Sequence, residues 1–550
     1  MARIICNNLQ KYYKLLLKKY FIVVLIFMLN YVTCFALPFE GLYRLDVVHF
    51  NDFHARFQET SVATATCTTN GDLCLGGFPR LYYEINKLFR KKPNAILLNA
   101  GDSFQGTYWY TLLKWNVTQK FMNMLPHDAH AIGNHEFDDG PAGLAPYLRA
   151  LKAPVLAANM DSSKEPIMEG LYKPSIVIRR KGRKIGIIGL ITTETEKLSS
   201  PGGVVFTDPG EATRREANRL TDDGVDIIIL LSHCGLDVDK VLARDYGENI
   251  DIIVGGHTHS LLWNGPSPTG EEVAGPYPII IPTTVLVVQA SSFTKFMGDL
   301  SVYFDFRGDF VRWEGGPIFL NRSIPEDKGI KAKLEPYAKL VQQAENVPVG
   351  QSDVALNSED CVFGECALGD LLVDSMNEFA KNLNISPHDH LSFVQRGNIK
   401  SSIPIGVITQ GTIFDLLPYN DRIQTFELQG VHVLEALERS VKNAWNILPF
   451  KGPWVLQVAG LSVTYNISKP EGERIVSATT GPEKKRIDPA SMYQVTLPAF
   501  LADGGDGFKM FLEGKQNVRV IGRDGAIVID YIKKHSPLKT TTDGRIKIQY

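Results

Sequence analysis

The sequence predicts a layered α/β domain, one connecting helix, and then a smaller α+β domain. Three observations carry that expectation. From Tyr43 to about Val288, short β-branched apolar runs recur, each stopping abruptly in polar residues: "YRLDVVHF", "NAILLNA", "HAIG", "KIGIIGL", "VDIIILLS" and "IDIIVGG". Such unbroken runs fit strands buried on both faces. Helix-like stretches, among them "PRLYYEINKLFRK" and "GEATRREANRLTDDG", fall between them, and this alternation is the signature of stacked α/β layers. Finally, 550 residues exceed the length at which a single core stops growing, so two domains are the default.

The first segment is set apart. "KYYKLLLKKYFIVVLIFMLNYVTCFALP" runs from lysines 11, 14, 18 and 19 through an apolar stretch to small residues at Cys34 and Ala36. That order is expected of a secretory signal peptide over residues 1–36. An uncleaved anchor is the weaker alternative, because Asn30 and Thr33 interrupt a run already short for a bilayer span. Cys6 and Cys34 fall in this leader, leaving the close pairs Cys67/Cys74 and Cys361/Cys366 and the odd Cys234. Two close pairs in an exported chain suggest two small disulfide loops. Cys234 reads as a buried strand-end thiol. Sequons at Asn116, Asn321, Asn384 and Asn466 fit a secreted, extracellular glycoprotein.

The strand-rich segment, residues 37–325, ends in "YPIIIPTTVLVVQASSF", expected to add strands at the sheet edge. Residues 326–348 are charged, bounded by Pro325 and Pro348, and helical in spacing, which predicts a linker helix. Residues 349–550 mix helices such as "GVHVLEALERSVKNAW" with strands such as "RIQTFELQ" and "WVLQVAGLSVTYNI". With 44% hydrophobic and 21% charged residues and a net charge of -2, the chain has no basic field for nucleic acid.

The polar stops are where chemistry concentrates. "NDFHA" supplies Asp52 and His54, "NAGDSFQG" Asp102, "GNHEFD" Asn134, His135 and Asp138, "LSHCG" His233, and "GGHTHS" His257 and His259. One histidine after a strand is more often a satisfied polar residue than a ligand. Five successive strands ending this way at the crevice end of an open α/β sheet are not. Mixed carboxylate, imidazole and amide donors suit two divalent cations, zinc first, with manganese, iron or calcium as other candidates. Asp102, arriving mid-set, is the natural bridge. Two cations roughly 3.5–4 Å apart clamp a phosphoryl oxygen and activate water, the chemistry of phosphate ester or anhydride hydrolysis.

These motifs resemble the dimetal phosphoesterase motifs of the 5'-nucleotidase family, which includes ecto-nucleotidases and the secreted apyrases of blood-feeding arthropods. The resemblance runs from about residue 43 to the C-terminus. It implies metal ligands at Asp52, His54, Asp102, Asn134, His233 and His257. At His259 animal members usually carry an amide residue, and this chain offers an imidazole. It further implies a catalytic dyad in which His135, off the metals, stabilises the transferring phosphoryl group and Asp138 orients it. In the C-terminal nucleotide-binding domain, "PAFLADGGDGFKMF" and "LLPYND" are similar to the substrate motifs, implying that Phe500 and Tyr419 clamp a base and that Asp506 holds ribose hydroxyls.

Two departures bear on substrate. The family's Asn-Gly-Gly-Gly-Ile-Arg stretch reads "QRGNIK", placing Gln395 and Lys400 where Asn and Arg are usual, and Val362 stands where an arginine commonly holds phosphate. Lysine does not reproduce arginine's bidentate grip. A single phosphate loses most by this, so the expectation is an apyrase acting on ATP and ADP in preference to AMP, one role being to remove the ADP that drives platelet aggregation. The alternatives are a 5'-nucleotidase making adenosine from AMP and, from another class, a secreted nucleotide scavenger with weak turnover. The chain ends in "DGRIKIQY" with no apolar anchor signal, so no stable membrane attachment is expected.

Overall fold

The computed structural model describes residues 41–62, 67, 74–282, 284–362, 364–442 and 455–550. The expected leader, with Cys6 and Cys34, lies outside them. Contacts divide the chain into two compact units, the smaller comprising residues up to Leu45 together with Ser301–Glu314. Within it, Arg44 donates to Ser301 Oγ (3.2 Å) and Arg312 stacks 3.6 Å from the Tyr303 ring centre. The larger unit comprises Asp46–Leu300 and Gly315–Tyr550.

Two sheets, not one, build the N-terminal layers. In the first, Tyr43–Phe50, Ile96–Asn99, Ala129–Ala131 and Val155–Leu156 lie side by side in parallel, with Phe50 opposite Asn99 and Asn99 opposite His130. In the second, Arg183–Ile191, Ile227–His233, Ile252–Val254 and Val285–Val288 are parallel neighbours. Ser175–Arg180 and Ile279–Ile281 close its edges antiparallel. The sheets touch at Gly189, where an added Cβ would sit 2.3 Å from the Leu156 carbonyl, so only glycine fits. Sequence could not separate the sheets, because a parallel strand buried on both faces reads alike in either.

The helices follow simple rules. Phe78–Lys91 turns Phe78, Leu81, Ile85 and Leu88 inward at three- and four-residue spacing, and Pro79 occupies its first turn. Pro209–Asp222 is capped by Asp208, whose carboxylate accepts from Glu211 N at 2.8 Å. Lys328–Glu345 starts at the Asp327 cap and buries Ile330, Leu334 and Val341. Those three side chains belong to the N-terminal hydrophobic core, so this helix is part of that layer as well as a connector.

The C-terminal region holds a five-stranded sheet in the order Gln457–Ala459, His390–Val394, Met492–Pro498, Arg422–Gln429, Gln516–Arg523. A four-stranded sheet includes Leu461–Asn466 between Ile475–Thr480 and Ile546–Gln549. Cys67 is joined to Cys74 and Cys361 to Cys366, while Cys234 is buried and free. Burial pushes the Cys234 thiol well up, which suits an inert core residue. Among the described residues, no helix is long and apolar enough to cross a membrane.

Buried histidines make the core acid-sensitive. Burial holds His49, which contacts Tyr277 Oη through Nε2 at 2.8 Å, and His130 near a pKa of about 3. Both values lie below the unfolded value of about 6.5, so the unfolded chain takes up more protons as pH falls. Stability is therefore complete above pH 6.5 and is lost below it, by about 2 kcal/mol per histidine at pH 5. Denaturation midpoints measured from pH 7 to pH 5 should fall steadily, and a flat profile would refute this account.

Candidate active site

Each predicted ligand leaves the carboxyl end of a strand. Asp52 and His54 follow Tyr43–Phe50, Asp102 follows Ile96–Asn99, and Asn134 follows Ala129–Ala131. His233 closes Ile227–His233, and His257 and His259 follow Ile252–Val254. The first four come from one sheet and the three later histidines from the other, so the site lies across two strand rims. Asp52, His54, Asp102, His257 and His259 all have φ between 47° and 77°. Left-handed backbone at non-glycine residues costs about 1–3 kcal/mol each and concentrates at functional sites.

The side chains converge. His233 Nε2 lies 3.1 Å and His54 Nε2 3.7 Å from Asp102 Oδ2. His259 Nε2 lies 3.3 Å from Asp52 Oδ1 and 3.1 Å from His54 Nε2. Asn134 Oδ1 is 3.3 Å from His233 Nε2. Asp52, His54 and His259 form one set whose ligand atoms lie within 4.8 Å of one another, and Asp102, His233 and His257 form another. Asp102 also joins His54 and His135 in a third such set, which places it between the other two. His135 thus stands beside the Asp102 carboxylate and the His54 imidazole.

The donor chemistry fits cations. His54 Nδ1 faces the Phe104 carbonyl at 3.2 Å and His233 Nδ1 the Ala100 carbonyl at 2.7 Å. Both Nδ1 atoms then carry a proton, which leaves each Nε2 as the atom that would bind a cation, beside carboxylate oxygens able to bind the same ion. Gly133 leaves room for the Asp102 carboxylate, since a Cβ there would meet Asp102 Oδ1 at 2.1 Å.

Glu136 fixes the Asp102 loop. It is buried and accepts from the backbone N–H groups of Asp102 (3.0 Å), Ser103 (2.6 Å), Phe104 (3.1 Å) and Gly133 (2.6 Å). This residue was missed in the sequence, although its position three residues after Gly133 is that of a capping glutamate. Glu136→Gln turns an amide N–H₂ against those donors and should lower bound metal per chain, with activity falling about 10- to 100-fold, as for other groups that orient ligands. Metal content equal to wild type would disprove this role.

His135 and Asp138 meet as anticipated. The segment Asn134–Phe137 is one 3₁₀ turn, and His135 Nδ1 lies 2.8 Å from Asp138 Oδ2. Burial pulls the His135 pKa down, but the Asp138 and Asp102 carboxylates outweigh it and hold the imidazole up at about 10. Asp138 is itself held by Ser199 Oγ on Oδ1 (2.8 Å) and Gln105 Nε2 on Oδ2 (3.2 Å). Neither partner was evident in the sequence, because each comes from a distant loop.

The dyad opens into a cavity of about 910 Å³, in the range of small-molecule sites. Asp102, Asn134, His135, Asp138, His257 and His259 line one wall, and Gln395, Lys400, Tyr419, Phe500 and Asp506 line the other. Asp52, His54 and His233 lie deeper and do not line it. Tyr419 is 47% and Phe500 39% exposed, so neither ring is core. Gly505 lies against the Phe500 ring, where a Cβ would be 2.5 Å away. Lys400 Nζ sits 5.2 Å from the Tyr419 ring centre, and Gln395 Nε2 donates to Asn398 at 3.2 Å. Val362 is absent from the lining. Asp421, Arg422 and Arg523, which carried no signal in the sequence, are present.

Comparison with known proteins agrees with this geometry. Residues 45–261 match the calcineurin-like phosphoesterase family, and residues 348–513 match the 5'-nucleotidase C-terminal domain. An apyrase of Tabanus yao is 39% identical over 521 residues, covering 92% of this chain and 94% of its own. The chain belongs to the 5'-nucleotidase family. The human 5'-nucleotidase is 36% identical over 533 residues, covering 93% of this chain and 92% of its own. The structure of a 5'-nucleotidase precursor from Thermus thermophilus superposes with TM-score 0.73 at 33% identity, covering 92% of this chain and 99% of that one. Within the 5'-nucleotidase family both names recur among close relatives, so family membership alone does not choose between nucleotide di- or triphosphates and monophosphates.

Proposed function

We propose that this nucleotide phosphohydrolase is a secreted apyrase, converting ATP and ADP to AMP and phosphate. The observation that carries the reading is a single cleft with metal-ligand chemistry on one wall and two exposed aromatic rings on the other. Relatives named apyrase and 5'-nucleotidase both support hydrolysis of nucleotides. Asp52, His54 and His259 would hold one divalent cation and Asn134, His233 and His257 the other, with Asp102 shared and zinc the expected metal. Bound there, the cations supply Lewis acidity toward phosphoryl oxygens and lower the pKa of water.

The chain's own residues do the rest. Phe500 and Tyr419 stack on the base, which tolerates base identity because every base has a π-face. Asp506 accepts from ribose hydroxyls. His135, kept charged by Asp138, places positive charge and a proton beside the leaving oxygen as negative charge develops there. Lys400 contributes a point charge without a guanidinium's fork, which weakens the hold on a lone phosphate. Hydrolysis of ADP outside cells would deprive platelets of an aggregation signal, and the leader-like residues 1–36 support export.

Phosphate release from ATP, ADP and AMP, measured with and without a chelator, tests the assignment. ATP and ADP should turn over faster than AMP, and chelation should stop all three. Fastest turnover of AMP would make the protein a 5'-nucleotidase instead.

A further inference from the structure

Two arginines of the C-terminal sheet reach across to the loops that support the dyad. Arg422 and Arg523 are paired opposite one another, at the ends of neighbouring antiparallel strands. Arg422 donates through Nη2 to the Ser199 carbonyl (2.6 Å) and through Nη1 to Ser200 Oγ (3.0 Å). Arg523 donates through Nη2 to the backbone carbonyl of Asp138 (3.1 Å) and through Nη1 to that of Asn420 (2.9 Å). Ser199 is buried, and its hydroxyl donates to the Asp138 carboxylate at 2.8 Å. The adjacent Ser200 N–H donates to the Phe137 carbonyl at 3.2 Å, closing the loop onto the dyad segment.

Every link in this chain has a defined direction. A guanidinium has only donors, and the two here serve three acceptors that belong to the catalytic layer. Arg422 fixes the Ser199 peptide, and with it the hydroxyl that orients one oxygen of Asp138. Arg523 fixes the Asp138 backbone from the other side. The carboxylate is then left with its second oxygen aimed at His135 Nδ1. Without the arginines, the N-terminal domain retains its own hydrogen bonds at Ser199, Ser200 and Asp138 but loses the three contacts that the C-terminal sheet adds.

We propose that Arg422 and Arg523 are positioning residues for the His135–Asp138 dyad, acting through Ser199 and the Asp138 backbone, so that the dyad is correctly oriented only when the substrate-binding domain is docked on it. The proposal rests on the assignment of His135 and Asp138 as the catalytic pair. It makes catalysis conditional on domain contact: the half of the protein that binds the base also orients the half that transfers the phosphoryl group. A misplacement of about 1 Å is enough to cost about 10²-fold in rate.

The test uses the full-length protein with ADP as the probe. Arg422→Ala should lower kcat about 10-fold or more while KM stays within about twofold, the pattern of an interaction realised in the transition state. Ser199→Ala should do likewise. The double variant should be no slower than the slower single, because both changes break one chain of contacts. Arg422→Lys, which keeps the charge and one contact, should fall between wild type and Arg422→Ala. Amide hydrogen exchange at Ser200, read without substrate, should quicken in Arg422→Ala. A raised KM with unchanged kcat would show that Arg422 instead grips substrate, and multiplicative losses in the double variant would break the proposed route. Unchanged exchange at Ser200 would equally overturn it. Should wild-type protein release no phosphate from any nucleotide, the hydrolase reading would fail by itself, while the exchange measurement would still judge the docking contact.

Discussion

His135→Ala should lower phosphate release from ADP by about 10²- to 10⁴-fold, the contribution of a positioned acid or charge-stabilising group. The imidazole stands at the cavity wall with Asp138 2.8 Å behind it, so its removal takes away both a proton and a positive charge beside the leaving oxygen. Nucleotide binding should survive, because the aromatic rings and Asp506 are untouched. Stability at neutral pH should fall as well, because the pairing with Asp138 that keeps the imidazole charged in the folded state is lost, so turnover is compared at a temperature where both proteins are folded. This variant also separates an enzyme from a scavenger. A protein whose task is sequestration would keep its function without His135, and stopped-flow turnover beside equilibrium binding of ADP would show which is lost.

The second large effect belongs to Asp102. Asp102→Ala should empty both cation positions, because one carboxylate lies against His233 and His54 and also accepts the His135 N–H at 2.9 Å. Loss of metal-centred charge stabilisation, worth several kcal/mol, corresponds to about 10³-fold or more in rate. Elemental analysis should find both metals reduced. His259→Ala, by contrast, removes a ligand from the set around Asp52 only. If Asp102→Ala retained two metals and wild-type turnover, a shared carboxylate would be ruled out.

Much of this site was legible because its chemistry lies at strand ends. Asp52, Asp102, His233 and His257 each stop a run of Val, Ile and Leu, and a run with a ligand after it is visible in one dimension. The division of those runs between two sheets was not, since Gly189 against Leu156 is a contact that no spacing announces. Glu136 stands inside a recognisable motif and still gives no sign of its role: it gathers four backbone N–H groups, and backbone donors leave no trace in a sequence. Arg422 and Arg523 were hidden for a different reason. Each sits among ordinary strand residues, and only the placement of one domain on another brings them to Ser199, Ser200 and Asp138. Gln395 and Lys400 were recognisable by departure from a pattern, yet the company they keep in the cleft, Asn398 and the Tyr419 ring, came from the fold.

The helix Lys328–Glu345 bears on how this protein can be divided. Ile330, Leu334 and Val341 fill the phosphoesterase half's own interior, so a truncated catalytic fragment ending near Pro325 would present a raw greasy trough to water and clump. A cut placed after Glu345 carries its own lid along. The residues around Val347, past the end of the helix at Glu345, are then the place where the chain can be cut with least exposure of that interior.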